Sequence, residues 1–190
     1  MKVAVLGGTF NPPHIGHLFL AEEVRCAFQF DRIIFIPAHS PAHKAVAEGT
    51  SAGDRLALCR EAVQDNPAFL VDDCEIRRGG ISYMIDTIAE IIDRYAPDGK
   101  PGLILGDDLC PGFPDWKQAP LLAARARIIL VRRNTAGRVP FPFPHDYFEN
   151  RIFPLSSSEI RSRIRQGKTV CYLVPPAVSS YIEAKGLYRG

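Results

Sequence analysis

No apolar run in this chain of 190 residues approaches the roughly eighteen that a membrane-crossing helix needs. The opening MKVAVLGGTF has one Lys and a short apolar stretch. It lacks the longer apolar region and small-residue cleavage site of a signal peptide, and reads as a buried first strand. Neither sign of charge is in excess: 23 Lys and Arg against 21 Asp and Glu leave +2. Bulk charge therefore gives no footprint for nucleic acid, although a small anion needs only a local basic pocket. The five cysteines, Cys26, Cys59, Cys74, Cys110 and Cys171, include no CxxC pair. That excludes a zinc knuckle or a disulfide framework and fits reduced thiols in a cytosol.

Two nucleotide-binding patterns are also missing. Gly7-Gly8-Thr9-Phe10-Asn11-Pro12 does not supply the GxGxxG of a dinucleotide fold. Gly167-Lys168-Thr169 imitates the end of a P-loop, but the earlier Gly falls at Ser162 and the segment follows a helix. Internal repeats, low-complexity tracts and a clear linker are absent. The chain is therefore read as one domain, 1–190, with a small helical C-terminal segment from about 155 packed on it.

What is present is alternation. Short apolar runs at Val3–Leu6, Arg32–Pro37, Phe69–Asp72, Gly102–Gly106 and Arg127–Val131 read as strands buried on both faces. Between them, helices are predicted at His17–Phe28, Ser51–Asp65, Ser82–Tyr95 and roughly Asp115–Ala124. Ile85, Ile88, Ala89 and Ile92 would form the apolar face of the third. Strand and helix in turn predict an α/β fold: a Rossmann-like open parallel sheet with helices on both faces. Asn134–His145, rich in Pro and Gly, reads as a surface loop. Ser156 and Glu159 form an S-x-x-E cap for a short basic helix to Gln166, with Gly167 at its C-terminal end. A last helix after Val174-Pro175-Pro176 ends near Gly186.

Residues 7–18, GGTFNPPHIGHL, join the first strand to the first helix. In open parallel sheets, ligands bind at the carboxyl ends of strands. Gly7 and Gly8 permit a tight turn and close backbone approach. Free N–H groups at a helix start favour phosphate. His14 and His17, three apart, can face one side of the first turn. A zinc helix would use HxxxH with an acidic base, so no metal site is expected from this pair. Two structural histidines remain the plain alternative. Near the other end, PLSSSEIR (154–161) gathers hydroxyls, helix N–H groups and the Arg161 guanidinium at one helix start, which makes an anion site.

GGTFNPPHIGHL resembles the HxGH signature of the nucleotidyltransferase α/β-phosphodiesterase superfamily, and PLSSSEIR resembles its ISSTxIR signature. The extended first motif is similar to that of bacterial nicotinate mononucleotide adenylyltransferases, and the resemblance runs down to YLVP and the closing KGLY. It implies that His14 and His17 stabilise charge on the ATP phosphates. It implies that the loop at Gly8, Thr9 and Phe10 cradles those phosphates, and that Ser157, Ser158 and Arg161 bind them from across the site. Asn11, which the resemblance places at the mononucleotide, stands where many members have Asp. IPAHSPAHK (36–44) resembles P-x-x-x-P-x-H-K, which implies that Lys44 reaches the triphosphate and puts His43 beside the mononucleotide; His39 is given no role. GISYMIDT (80–87) resembles SYT-x-x-T, with Met84 in the Thr position, so the amides of Tyr83 and Met84 would hold the nicotinate carboxylate. LILGDDL resembles G-x-D, assigning Gly106 and Asp108 to the nucleotide, with a helix cap as the structural alternative for the acids. FPDWKQ would stack Trp116 on the nicotinate ring.

The implied activity is adenylyl transfer from ATP to nicotinate mononucleotide in NAD biosynthesis. Mg²⁺ would be carried by ATP, and no protein metal site is expected. Neither nucleic acid nor membrane is an expected partner, and the expected compartment is the cytoplasm. The acid-or-amide preference, transfer to pantetheine phosphate, a non-catalytic nucleotide sensor and a homo-oligomer all stay open at this point.

Overall fold

The computed structural model describes residues 1–42, 50–133 and 138–189. Six parallel strands form one sheet: β1 (Val3–Gly8), β2 (Arg32–Pro37), β4 (Phe69–Val71), β6 (Gly102–Gly106), β7 (Arg127–Val131) and β8 (His145–Phe148). Their order is β4-β2-β1-β6-β7-β8. The sheet grows one way from β1 to β4 and the other way from β6 to β8. The reversal between β1 and β6 is the crevice where a doubly wound sheet takes its ligand. Two short strands, β3 (Ser40–Pro41) and β5 (Ile81–Ser82), pair with each other beside it.

The strands alternate their side chains between two cores. Ala4, Leu6, Ile33, Phe35, Ile129 and Val131 enter one. They meet α1 (Ile15–Phe28), α2 (Ala52–Val63), α6 (Ser157–Arg165) and α7 (Pro176–Lys185). Val3, Val5, Ile34, Ile36, Leu103 and Leu105 enter the other with α4 (Met84–Tyr95) and α5 (Ala119–Arg125). A further short helix, α3 (Cys74–Arg78), follows β4. Burial on both faces is what the near-continuous apolar runs implied. All five cysteines are free thiols. Among the described residues no helix is long and apolar enough to cross a membrane.

Several sequence boundaries are corrected. The first helix starts at Ile15, which leaves His14 as its N-cap in extended conformation. The second and third predicted helices form as α2 and α4, but Ser51 is the cap of α2, which ends at Val63, and Tyr83 is the cap of α4. On α4 the buried stripe is Ile85, Thr87, Ile88 and Ile91, displaced from the Ala89 and Ile92 side. The predicted Asp115–Ala124 helix is shortened to α5, and a 3-10 helix precedes it. The 3-10 helix spans Asp107–Asp115, where Pro111 and Pro114 withhold α-helical donors, and α5 starts only after the left-handed Gln118. The predicted loop ends in β8, an edge strand with partly buried residues; within that loop, residues 134–137 lie outside the described residues. In α6, Ser156 Oγ accepts the Glu159 N–H at 3.1 Å, one half of the expected capping box, and Gly167 follows with a φ of +66°.

Gly102 marks how tightly the central strands meet. A Cβ there would lie 2.6 Å from Phe30 Cζ and 2.8 Å from Ala4 Cβ. Gly102→Ala is expected to lower stability by about 1–3 kcal/mol through overpacking. A denaturant titration reads this; an unchanged midpoint would contradict the packing described.

Candidate active site

At the carboxyl ends of β1 and β6 a cleft of about 440 Å³ opens. Its walls come from the turn at Gly7 to Asn11, the two histidines of the first motif, the end of β6 with Asp108, and Ser157, Ser158 and Arg161 of α6. The two signatures, from opposite ends of the chain, therefore meet in one place. Their meeting is fixed by hydrogen bonds. Ser157 Oγ donates to the Pro12 carbonyl at 2.8 Å, and the Arg161 guanidinium donates to the Asn11 carbonyl at 2.8 Å and to Ser158 Oγ at 3.1 Å. Tyr188, far beyond α6, donates its buried hydroxyl to Asn11 Oδ1 at 2.7 Å.

His14 and His17 lie side by side, ring centroids 3.7 Å apart. His17 Nδ1 accepts the His14 N–H at 3.2 Å. A ring that accepts through Nδ1 carries its proton on Nε2 when neutral, so it offers a donor on the far side. Burial, then the neighbouring His14 and Arg133, holds His17 well below its ordinary pKa. Burial, then Arg133, lowers His14 to about 4. Both rings are therefore neutral donors at pH 7. Phe10 has a left-handed φ of 48°, and its ring is buried edge-on against His17, centroids 5.1 Å apart. Its side chain thus supports the site from below, and only its backbone can cradle a phosphate.

These shifts set a pH dependence. An unfolded His14 titrates near 6.5, the folded one near 4. Between those values the unfolded chain binds a proton that the folded chain refuses, so stability falls as pH drops from above 6.5 toward 4. The unfolding midpoint of the ligand-free protein is expected to decline across that range. His14→Asn, which keeps a good cap residue, should make the decline shallower and leave the part that buried His17 contributes. An equal slope in both proteins would rule out this source.

A second cavity, about 210 Å³, adjoins the first. The two share Gly7, Gly8, Thr9, Met84, Leu109 and Trp116. Tyr83 and Met84 are the cap and first residue of α4, where N–H groups have no helical acceptor and the dipole favours an anion. Met84 Cε reaches within 2.7 Å of where a Cβ on Gly7 would stand, so a side chain at Gly7 would have to displace it. Trp116 packs against Phe113, centroids 5.0 Å apart, and lines both cavities. His39 Nδ1 lies 3.0 Å from the Gly80 carbonyl, which ties two loops together. His43 and Lys44 lie outside the described residues.

The two acids after β6 divide. Asp107 is buried and structural: it accepts the Arg133 N–H at 2.9 Å and the Tyr147 hydroxyl at 3.2 Å. Asp108 lines the larger cleft. Among the described residues no group of three or more His, Cys, Asp or Glu is placed to hold a metal ion. Sequence reasoning missed Arg133, which lines the cleft after β7, and Lys117 at the smaller cavity, 2.8 Å from Asp86 and over the Tyr83 ring. Its position two residues after β7, at the sheet's carboxyl end, was the available signal for Arg133; Lys117 had none beyond its place after the tryptophan.

Comparison with known proteins bears on this geometry. A family model described as cytidylyltransferase-like matches residues 5–163. A Borrelia hermsii protein named "Probable nicotinate-nucleotide adenylyltransferase" is 46% identical over 188 residues, covering 99% of this chain and 98% of its own. Proteins of the same name from Salinibacter ruber and Treponema pallidum (strain Nichols) are 39% and 36% identical. The first covers 100% of this chain and 98% of its own, the second 100% of both. Among solved structures, the Plasmodium falciparum nicotinic acid mononucleotide adenylyltransferase complexed with NaAD superposes with a TM-score of 0.77 at 16% identity. The match covers 98% of this chain and 97% of that one, a likeness of fold.

Proposed function

Since the chain belongs to the cytidylyltransferase-like family and, within it, to the nicotinate-nucleotide adenylyltransferases, we propose that it joins ATP to nicotinate mononucleotide, giving deamido-NAD and pyrophosphate. The observation that carries the reading is the pair of adjoining cavities. One is walled by phosphate-binding groups, the other by an aromatic ring and a helix N-terminus, and they meet at Gly7, Gly8 and Thr9. A reaction between two nucleotides needs such a junction.

ATP occupies the larger cleft, with its phosphates between the histidine pair and Arg161. The mononucleotide occupies the smaller cavity, with its ring beside Trp116 and its carboxylate at the N–H groups of Tyr83 and Met84. A phosphate oxygen of the mononucleotide attacks the α-phosphorus in line, forming one P–O bond as the bond to the bridging oxygen of pyrophosphate breaks. The nucleophile is already anionic at pH 7, so no base is required. Catalysis rests on alignment and on donors aimed at the developing charge: His14, His17, Arg161 and the amides of Gly8 to Phe10. Lys44 is assigned to the triphosphate and His43 to the acceptor on sequence alone. Mg²⁺ comes on the ATP and offsets its charge. Of the residues lining the cleft, Asp108 is the carboxylate able to meet its water shell. We place the reaction in the cytoplasm.

The test is pyrophosphate release with ATP and Mg²⁺ against nicotinate mononucleotide, nicotinamide mononucleotide and pantetheine phosphate. Preference for the first is expected. Preference for either other acceptor would keep the chemistry and overturn the assignment of the smaller cavity. ATP binding without turnover on any of them would defeat the enzymatic reading.

A further inference from the structure

Arg55 sits on α2 at 1% exposure, the largest of the fully buried side chains. Its guanidinium donates to the carbonyls of Thr9 at 3.1 Å, His39 at 2.8 Å and Ala38. Among the described residues no carboxylate forms an ion pair with it. Glu75, buried and lining the smaller cavity, acts on it only as a nearby charge. Taking a guanidinium out of water is unfavourable, and an apolar side chain of similar volume would fill the core without that penalty. The three acceptors show what the charge does. Pairing between β1 and β2 ends at Gly8 and Pro37, with one more rung from the Ala38 N–H to the Gly8 carbonyl. Beyond it, the carbonyls of two separate loops point at one spot, where they would repel each other without a cation between them.

Those loops wall the smaller cavity at Thr9 and at Ala38, Pro41 and Ala42. The second loop is tied on its far side as well. The His39 N–H donates to Ser82 Oγ at 3.1 Å, and β3 pairs with β5, whose next residues are Tyr83 and Met84. We propose that Arg55 is a positioning residue that sets the spacing of these loops, and through it the fit of the mononucleotide. The inference rests on the assignment of the smaller cavity to the acceptor. Thr9 also lines the ATP cleft, but that side has tethers of its own at Arg161, Ser157 and Tyr188, so the larger effect falls on the acceptor.

The test separates the two substrates. Lys keeps the charge but not the planar fork needed to hold several carbonyls. Arg55→Lys is therefore expected to raise KM for nicotinate mononucleotide roughly ten- to a hundred-fold, while KM for ATP changes by about threefold or less. Ser82→Ala cuts another tether of the same loop and should raise the same KM by less. The double variant should depart from additivity. A folded Arg55→Lys that leaves the acceptor KM unchanged, or raises both KM values alike, overturns the proposal. If Arg55→Lys does not fold, Ser82→Ala decides: an unchanged acceptor KM counts against it. Absence of turnover by the unaltered protein is a different result, and defeats the functional reading instead.

Discussion

His17→Ala is expected to reduce kcat by about 10²–10³-fold, the usual effect of removing one preorganised donor from a developing oxyanion. The ring is fixed before substrate arrives. Phe10 meets it edge-on, His14 stacks beside it, and its Nδ1 is taken up by the His14 N–H. What remains is one Nε2–H in a site where water competes poorly. The same substitution removes a helix-cap contact worth about 1 kcal/mol, small beside a native stability of about 5–15 kcal/mol. Turnover should collapse while the unfolding midpoint moves little. Both are measured on one preparation by pyrophosphate release and denaturant titration. Turnover within about threefold of the unaltered enzyme, against the large loss such a donor implies, would remove His17 from the mechanism.

Arg161→Met should be as severe, but expressed differently. It deletes a cation from the cleft and releases the Asn11 carbonyl and Ser158 Oγ together. The expected loss is about 10²–10³-fold in kcat/KM for ATP, since charge-assisted donors to phosphate are the strong ones. Arg161→Lys should recover little, because one ammonium cannot satisfy two acceptors held apart. If Arg161 and His17 grip the same phosphates, the double variant will lose less than the product of the single losses. Strict multiplicativity would mean that they act on separate parts of the reaction.

How far these sites were readable in the sequence depended on how local their causes are. Gly7 and Gly8 and the cap residues act through their immediate neighbours, and the two motifs that meet at the larger cleft were legible as a result. The edge strand β8 was not. Four residues, His145–Phe148, following a Pro-rich stretch, pair with β7 alone, and nothing in their pattern outweighs the prolines. The 3-10 helix was hidden for a related reason: Pro111 and Pro114 permit it without announcing it. Arg133 and Arg55 show the deeper limit. An arginine looks the same in sequence whether it faces solvent or gathers three carbonyls in the core. Only the arrangement of distant loops distinguishes the two cases. The acceptor's Met84 was legible as a departure, while its contact with Gly7 required the fold.

The hydrogen bond from Tyr188 to Asn11 joins residues 177 positions apart. Synthesis proceeds from the other direction. Gly7 to Leu18 leave the ribosome long before Tyr188, and the strands and helices behind them can begin to collapse as they emerge. Yet the turn after β1 lacks its phenolic support until Tyr188 has been added and has cleared the exit tunnel. A nascent chain therefore carries an unsupported turn until the segment after α7 has emerged, and the last brace of the pocket is among the later contacts to form.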